Sequence, residues 1–268
     1  MKYSNSITTA ILVILFLIYS SNTNAESCGD DVWQKIAPQL GKVSNENLSR
    51  EWQALEKECG KDEFFDYRHA LIFIHGSDFD KAETIIKEAL VREIDDYRYI
   101  HSAEGYMYFR KWGATGDPES KNKMLNAYND LITLYPAWYM GYEDLGNVKA
   151  MLGEYPEAIK LLEKSISMGG SHISKTMLVA SYFQLKDYDK VLSLAPDIVE
   201  QHPKVRSNKN FMLSAAWAYM YTGDLMTGQD VLLSLLDANP QIEMDRDFNI
   251  AVSFLKNKAE EIRANQKE

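Results

Sequence analysis

Turn-forming residues are scarce in this chain: 7 prolines and 14 glycines in 268 residues. An all-β sandwich or barrel turns often and needs both, so their shortage argues against one and suits long helices. Basic side chains are also in deficit, with 29 Lys and Arg against 39 Asp and Glu and a formal net charge of −10. Without residues 1–25, whose only charged side chain is Lys2, the balance is 28 − 39 = −11. Broad binding to nucleic acid or anionic membrane needs a basic footprint and is excluded on that ground. Only two cysteines occur, Cys28 and Cys59, and neither has the Cys or His neighbours at ligand spacing that a zinc site requires. What remains is ordinary: 46% apolar and 25% charged residues, enough for a packed core.

The one long apolar run lies at the N-terminus. Residues 1–25 carry Lys2, an apolar stretch from Ala10 to Tyr19, and a polar segment with small residues at Thr23 and Ala25. The run is about half the ~20 residues a helix needs to cross a bilayer. The pattern reads as a signal peptide cleaved after Ala25, which makes the chain an exported protein of the periplasm or the outside medium. An uncleaved anchor and lipid attachment at Cys28 are the alternatives, the latter poorly matched by Ala25-Glu26-Ser27. In an oxidising compartment Cys28 and Cys59 read as one disulfide. Closing a loop of 59 − 28 = 31 steps stabilises by roughly 3–4 kcal/mol in the chain-entropy model.

Beyond that segment the chain repeats itself. From Gly141 to Ile159 it reads as an apolar helix, a turn at Gly153-Glu154-Tyr155, and a second helix reached through Ala158. The same grammar recurs from Leu178 to Val191, through Tyr182 and Lys186-Asp187-Tyr188, and from Ala215 to Gly228, through Tyr219 and Gly223-Asp224-Leu225. An earlier copy runs from Ala70 through Phe73 and Ser77-Asp78-Phe79 to Ala82. The repeat ends Pro136, Gly170, Pro203 and Pro240 fall 34, 33 and 37 residues apart. Gly146, Val179 and Ala216 are small where two helices of a pair must approach. Gly153 and Gly223 suit the positive φ that ends a helix, and Phe79, Tyr155 and Tyr188 fill the space beneath the turn.

Tyr142, Leu145, Gly146, Gly153, Tyr155 and Ala158 in one copy, and Ala216, Tyr219, Gly223 and Pro240 in another, make residues 63–240 resemble the tetratricopeptide-repeat family. The resemblance implies an all-α fold, an α-solenoid of about five stacked antiparallel helix pairs wound into a right-handed superhelix. One copy departs from the pattern. Between Tyr108 and Met124 the sequence reads as a long inter-helix loop at residues 112–119, and Met124 follows Ala82 by 42 residues. An insertion of about two helical turns in or beside that loop accounts for the spacing, either as a binding edge or as neutral elaboration. Residues 26–62 read as an N-terminal helical cap tied by the disulfide, with Val32, Trp33, Ile36 and Leu40 on one face and Leu48, Trp52, Leu55 and Cys59 on another. Residues 241–268 read as a C-terminal capping helix, with Phe248, Val252, Leu255 and Ile262 on one side and a tail that frays after Ile262.

No catalytic constellation stands out. The histidines His69, His75, His101, His172 and His202 show no i, i+4 pairing. The G-x-S-x-G, Walker and H-E-x-x-H motifs are missing, and no cofactor is implied. Asp78 and Asp80 lack the downstream spacing of a calcium loop and read as part of a turn.

The chain therefore reads as a non-catalytic interaction scaffold or adaptor whose partner is another protein or a peptide segment. The resemblance places the first helix of each pair along a concave groove. Its phase gives as lining Tyr67, Leu71 and His75, then Tyr106 and Phe109, then Met140, Glu143, Asn147 and Met151, then Thr176, Ala180 and Phe183, and last Leu213, Trp217, Met220 and Tyr221. Trp217 and Tyr221, at i and i+4, are the expected anchors. Any of these aromatics and methionines can equally be core between repeats. Some members of the family grip a C-terminal dicarboxylate with Lys and Arg, but Glu143, Thr176 and Leu213 occupy the matching positions here. The alternative reading is a subunit of a cell-envelope assembly that uses convex or edge surfaces. A weaker one is an enzyme with a site on the inserted loop.

Overall fold

The computed structural model describes residues 30–55, 63–92 and 96–265. The expected signal segment at residues 1–25 and both partners of the expected Cys28–Cys59 bond lie outside the described residues. Within them every regular element is helical. The helices are α1 (Asp30–Ile36), α2 (Asn45–Gln53), α3 (Glu63–His75), α4 (Phe79–Leu90), α5 (Arg98–Thr115), α6 (Pro118–Leu134), α7 (Tyr139–Met151), α8 (Tyr155–Ser167), α9 (His172–Gln184), α10 (Tyr188–Gln201), α11 (Lys209–Tyr221), α12 (Leu225–Ala238) and α13 (Arg246–Asn265). Short 3-10 turns start at Pro203 and Pro240, two of the repeat ends that the sequence marks.

Two compact units divide the chain, residues 1–137 and 138–268. The first holds α1, α2 and the pairs α3/α4 and α5/α6. The second holds the pairs α7/α8, α9/α10 and α11/α12, and the single helix α13. These make five helix pairs among the described residues.

One turn recurs with the same hydrogen bonds. The backbone N–H groups of Asp78, Glu154, Asp187 and Asp224 donate to the carbonyls of Phe73, Lys149, Tyr182 and Tyr219, at 2.9 to 3.0 Å. Each bond spans five residues and satisfies a carbonyl that the ending helix leaves without a partner. The residue before each donor sits at positive φ: Ser77 (62°), Gly153 (80°), Lys186 (61°) and Gly223 (95°). Three of the four following acids then cap the next helix. The carboxylates of Asp78, Asp187 and Asp224 accept from the N–H groups of Lys81, Lys190 and Thr227. Asp78 thus belongs to a turn.

The insertion is not a loop. Residues 112–115 are the last turn of α5, Gly116 ends it, Asp117 accepts from the N–H groups of Glu119 and Ser120, and Pro118 opens α6. The extra residues lengthen both helices, to 18 and 17 residues against 13 each in α7 and α8. Additional helical turns satisfy their own backbone, whereas a loop of that length would need outside partners. At the far end α13 stays helical through Asn265, past the position where fraying was expected.

Close approach within a pair depends on small residues. A Cβ added at Gly105 would lie 2.6 Å from the Tyr128 ring, and one at Gly146 would lie 2.9 Å from the Leu162 side chain. In the first unit the cap docks through Trp52, which stacks on Phe65 with ring centroids 5.0 Å apart and donates its indole N–H to the Phe65 carbonyl. Arg68 is buried against Trp33, Trp52 and Phe64 and pairs with Asp30. The core of the second unit includes an apolar cluster with Val179, Phe211, Leu232, Ile242 and Phe248, and a smaller one of Ala150, Ala158, Leu162 and Leu178.

Candidate functional site

First and second helices differ in what they bury. The second helices α4, α8 and α10 are amphipathic, each with one apolar stripe inward. First helices such as α5, α7 and α11 bury residues on nearly every side. A first helix packs against its own partner and also against neighbouring pairs, which leaves little of its circumference open.

Most of the expected groove lining is therefore core. In the first unit Tyr67, Leu71, Tyr106 and Phe109 are buried. In the second, Met140, Leu213 and Met220 are buried, together with the polar Glu143, Asn147 and Thr176. As groove residues these ten are corrected to interior positions. Glu143 has a structural task. Its carboxylate accepts from the Ser171 hydroxyl at 2.6 Å, from the Ser174 hydroxyl, and from the Ser174 backbone N–H at 3.3 Å, at the N-terminal end of α9. A buried carboxylate is tolerated where donors and a helix N-terminus meet it. Asn147, one turn further along α7 and 6% exposed, has a side-chain oxygen with no hydrogen-bond partner.

Five of the expected residues reach the surface of the second unit: Met151, Ala180, Phe183, Trp217 and Tyr221. Three of them belong to an aromatic row. Phe183 and Tyr188 have ring centroids 5.8 Å apart, Tyr188 and Tyr221 5.4 Å, and Tyr221 and Trp217 5.2 Å with their planes 22° apart. Phe254 of α13 closes the row at 5.2 Å from Trp217. Tyr221 is 52% exposed and Trp217 half-buried. A shallow cleft of about 480 Å³ adjoins the row, lined by Trp217, Phe254, Ile250, Arg246, Asn249 and Asn257, among others. The sequence reading missed Phe254, because it assigned α13 only a capping role. A second cleft of about 510 Å³ separates α12 from α13, with Leu232, Leu233, Leu236, Val252 and Leu255 in its walls.

The histidines have diverse settings. His69 shares a 2.8 Å hydrogen bond with Ser49. His75 lies 3.4 Å from the hydroxyl of Tyr106, and burial, reinforced by the nearby Arg110 charge, holds its pKa down at about 4. His172 and His202, 30 positions apart in sequence, have ring centroids 5.4 Å apart, a pairing that sequence spacing does not reveal. Burial lowers both pKa values, and the neighbouring His202 contributes to the shift at His172. Among the described residues no three His, Cys, Asp or Glu side chains are grouped to hold a metal ion.

No family model and no curated protein matches the sequence. Among solved structures the chain is similar to YrrB, described as a TPR protein with an unusual peptide-binding site. The TM-score is 0.53 at 16% identity, over 78% of this chain and 99% of that one. The likeness is one of fold: this is an all-α fold of the tetratricopeptide-repeat type.

Proposed function

We propose that the protein is a non-catalytic interaction scaffold of the periplasm or extracellular space, and that it binds a polypeptide segment across the first-helix face of its second unit. The observation that carries the reading is the aromatic row, above all Tyr221, which is half-exposed although stacked on Trp217 and in tilted contact with Tyr188. Large rigid rings left partly in water are the side chains that dominate polypeptide recognition. The peptide-binding site described for YrrB supports the same class of ligand. Export rests on the pattern of residues 1–25 alone. No helix among the described residues is long and apolar enough to cross a membrane.

A peptide-display selection against the mature protein tests the proposal. Selected peptides are expected to bind Tyr221→Ala about 30-fold or more weakly, the effect of losing an anchor worth about 2 kcal/mol. The thermal melt should barely move, because half of the side chain is already in water. Selection of no peptide, or equal binding to the variant, overturns it.

A further inference from the structure

Three of the five histidines reach a polar side chain elsewhere in the fold. His69 hydrogen-bonds to Ser49, His75 lies beside Tyr106 and Arg110, and His101 is 3.8 Å from the Glu104 carboxylate. His172 and His202 have each other instead. His172 is the first residue of α9 and His202 follows the last residue of α10, so the antiparallel pair brings both to one end of the second unit. Their ring centroids are 5.4 Å apart, with the planes at 34°. Neither imidazole hydrogen-bonds to another described residue, and none of their ring nitrogens is sealed from water.

Imidazole nitrogen is a ligand for borderline transition-metal ions and binds them at about 2.0–2.1 Å. Two imidazoles on one ion, with the N–metal–N angle near tetrahedral, hold their ring centroids about 5 Å apart on those bond lengths. The observed 5.4 Å is close to that span, so the backbone already sets the two rings at the separation one ion needs. The charges around them are positive. After burial, His202, Lys175 and Lys204 lower the pKa of His172, and Lys175 lowers that of His202. Both rings are thereby kept neutral at physiological pH, the form that ligates a metal. No carboxylate is among the groups that act on either ring, so the hard ions calcium and magnesium find no oxygen charge to bind there. Lys175, which donates to the Gln201 side-chain oxygen at 3.0 Å, repels any cation. The attraction must therefore come from the two nitrogens, which favours copper, the divalent ion of its row that nitrogen ligands hold most strongly.

We propose that His172 and His202 together bind one divalent transition-metal ion, Cu²⁺ in preference to Zn²⁺, with water completing the coordination. The site lies at the opposite end of the α9/α10 pair from Phe183 and Tyr188 and does not rest on the scaffold reading. The test adds one equivalent of CuCl₂ to the mature protein at pH 7.5. Electron spin-echo modulation is expected to show two equatorial imidazoles, and paramagnetic broadening of backbone amides in NMR should centre on residues 171–175 and 201–205. His172→Asn and His202→Asn should each weaken Cu²⁺ about tenfold or more and leave a single imidazole at most, with far-UV circular dichroism unchanged. Zn²⁺ should compete for the same site at higher concentration. Broadening centred elsewhere, one imidazole or none in the native protein, or unchanged affinity in both variants each overturn the proposal. If a variant fails to fold, the location of the broadening in the native protein still decides.

Discussion

His75 ties a single ionisation to the stability of the first unit. Burial comes first and the Arg110 charge second in holding its pKa at about 4, well below the ordinary 6.5. A histidine whose folded pKa is depressed takes up its proton more readily when unfolded. Its contribution to stability is therefore complete above pH 6.5 and is lost as the pH falls towards 4. At about 1.4 kcal/mol per pH unit the loss is on the order of 2–3 kcal/mol. His172 and His202 shift in the same direction and add to the trend in the second unit. Urea unfolding at pH 7.5 and pH 4.5 measures the loss, and His75→Gln should shrink the difference between the two. An undiminished pH effect in His75→Gln would place its origin elsewhere, in the histidine pair or the carboxylates.

Among the elements, α5 shows how one helix uses two glycines in opposite ways. Gly105 lies against the buried Tyr128 ring, and a Cβ there would meet it at 2.6 Å, whereas nothing lies within 4 Å of a Cβ added at Gly113. Alanine favours a helix over glycine by up to about 1 kcal/mol, while overpacking a core costs about 1–3 kcal/mol. Gly105→Ala should thus destabilise by about 1–2 kcal/mol net and Gly113→Ala should stabilise by up to about 1 kcal/mol. The urea midpoints of the two variants should move in opposite directions; a shift of the same sign in both would show that the Tyr128 contact is not what requires Gly105. The pairs were readable in the sequence because four of their turns repeat one chemistry: a residue at positive φ, an acid that caps the next helix in three of the four, then a small residue. The length of α5 and α6 was not readable, since Gly113, Gly116 and Pro118 look like a loop when counted by composition. In place, Gly116 and Pro118 serve as C-cap and first helical residue. Nor was the burial of Tyr67, Tyr106, Met140 and Leu213 readable, because phase assigns a helix face but not what packs upon it. The Arg110 cluster joins residues 75 and 106–110, whose meeting depends on how α3 lies against α5. The expected anchors Trp217 and Tyr221 do reach the surface, in the last turns of α11 beside Tyr188 and Phe254.

At the scale of the molecule, helix pairs packed on their sequence neighbours share stability locally, as a sum of pair and neighbour terms. Phe211 is fully buried at the centre of the apolar cluster that joins α9 to α13. Phe211→Ala removes that packing and should cost about 3–5 kcal/mol within its own unit. Hydrogen exchange followed by mass spectrometry resolves where the loss falls. Amides of α9 through α13 should lose protection strongly, while those of α3 through α6, which belong to the other compact unit, keep most of theirs. The aromatic row draws Trp217 and Tyr221 from α11 and Phe254 from α13, so Phe211→Ala should also weaken peptide capture without touching a ligand. A uniform loss of protection across both units would instead mean that the molecule unfolds as one cooperative body. In that case a change in the first unit would also be felt at the aromatic row.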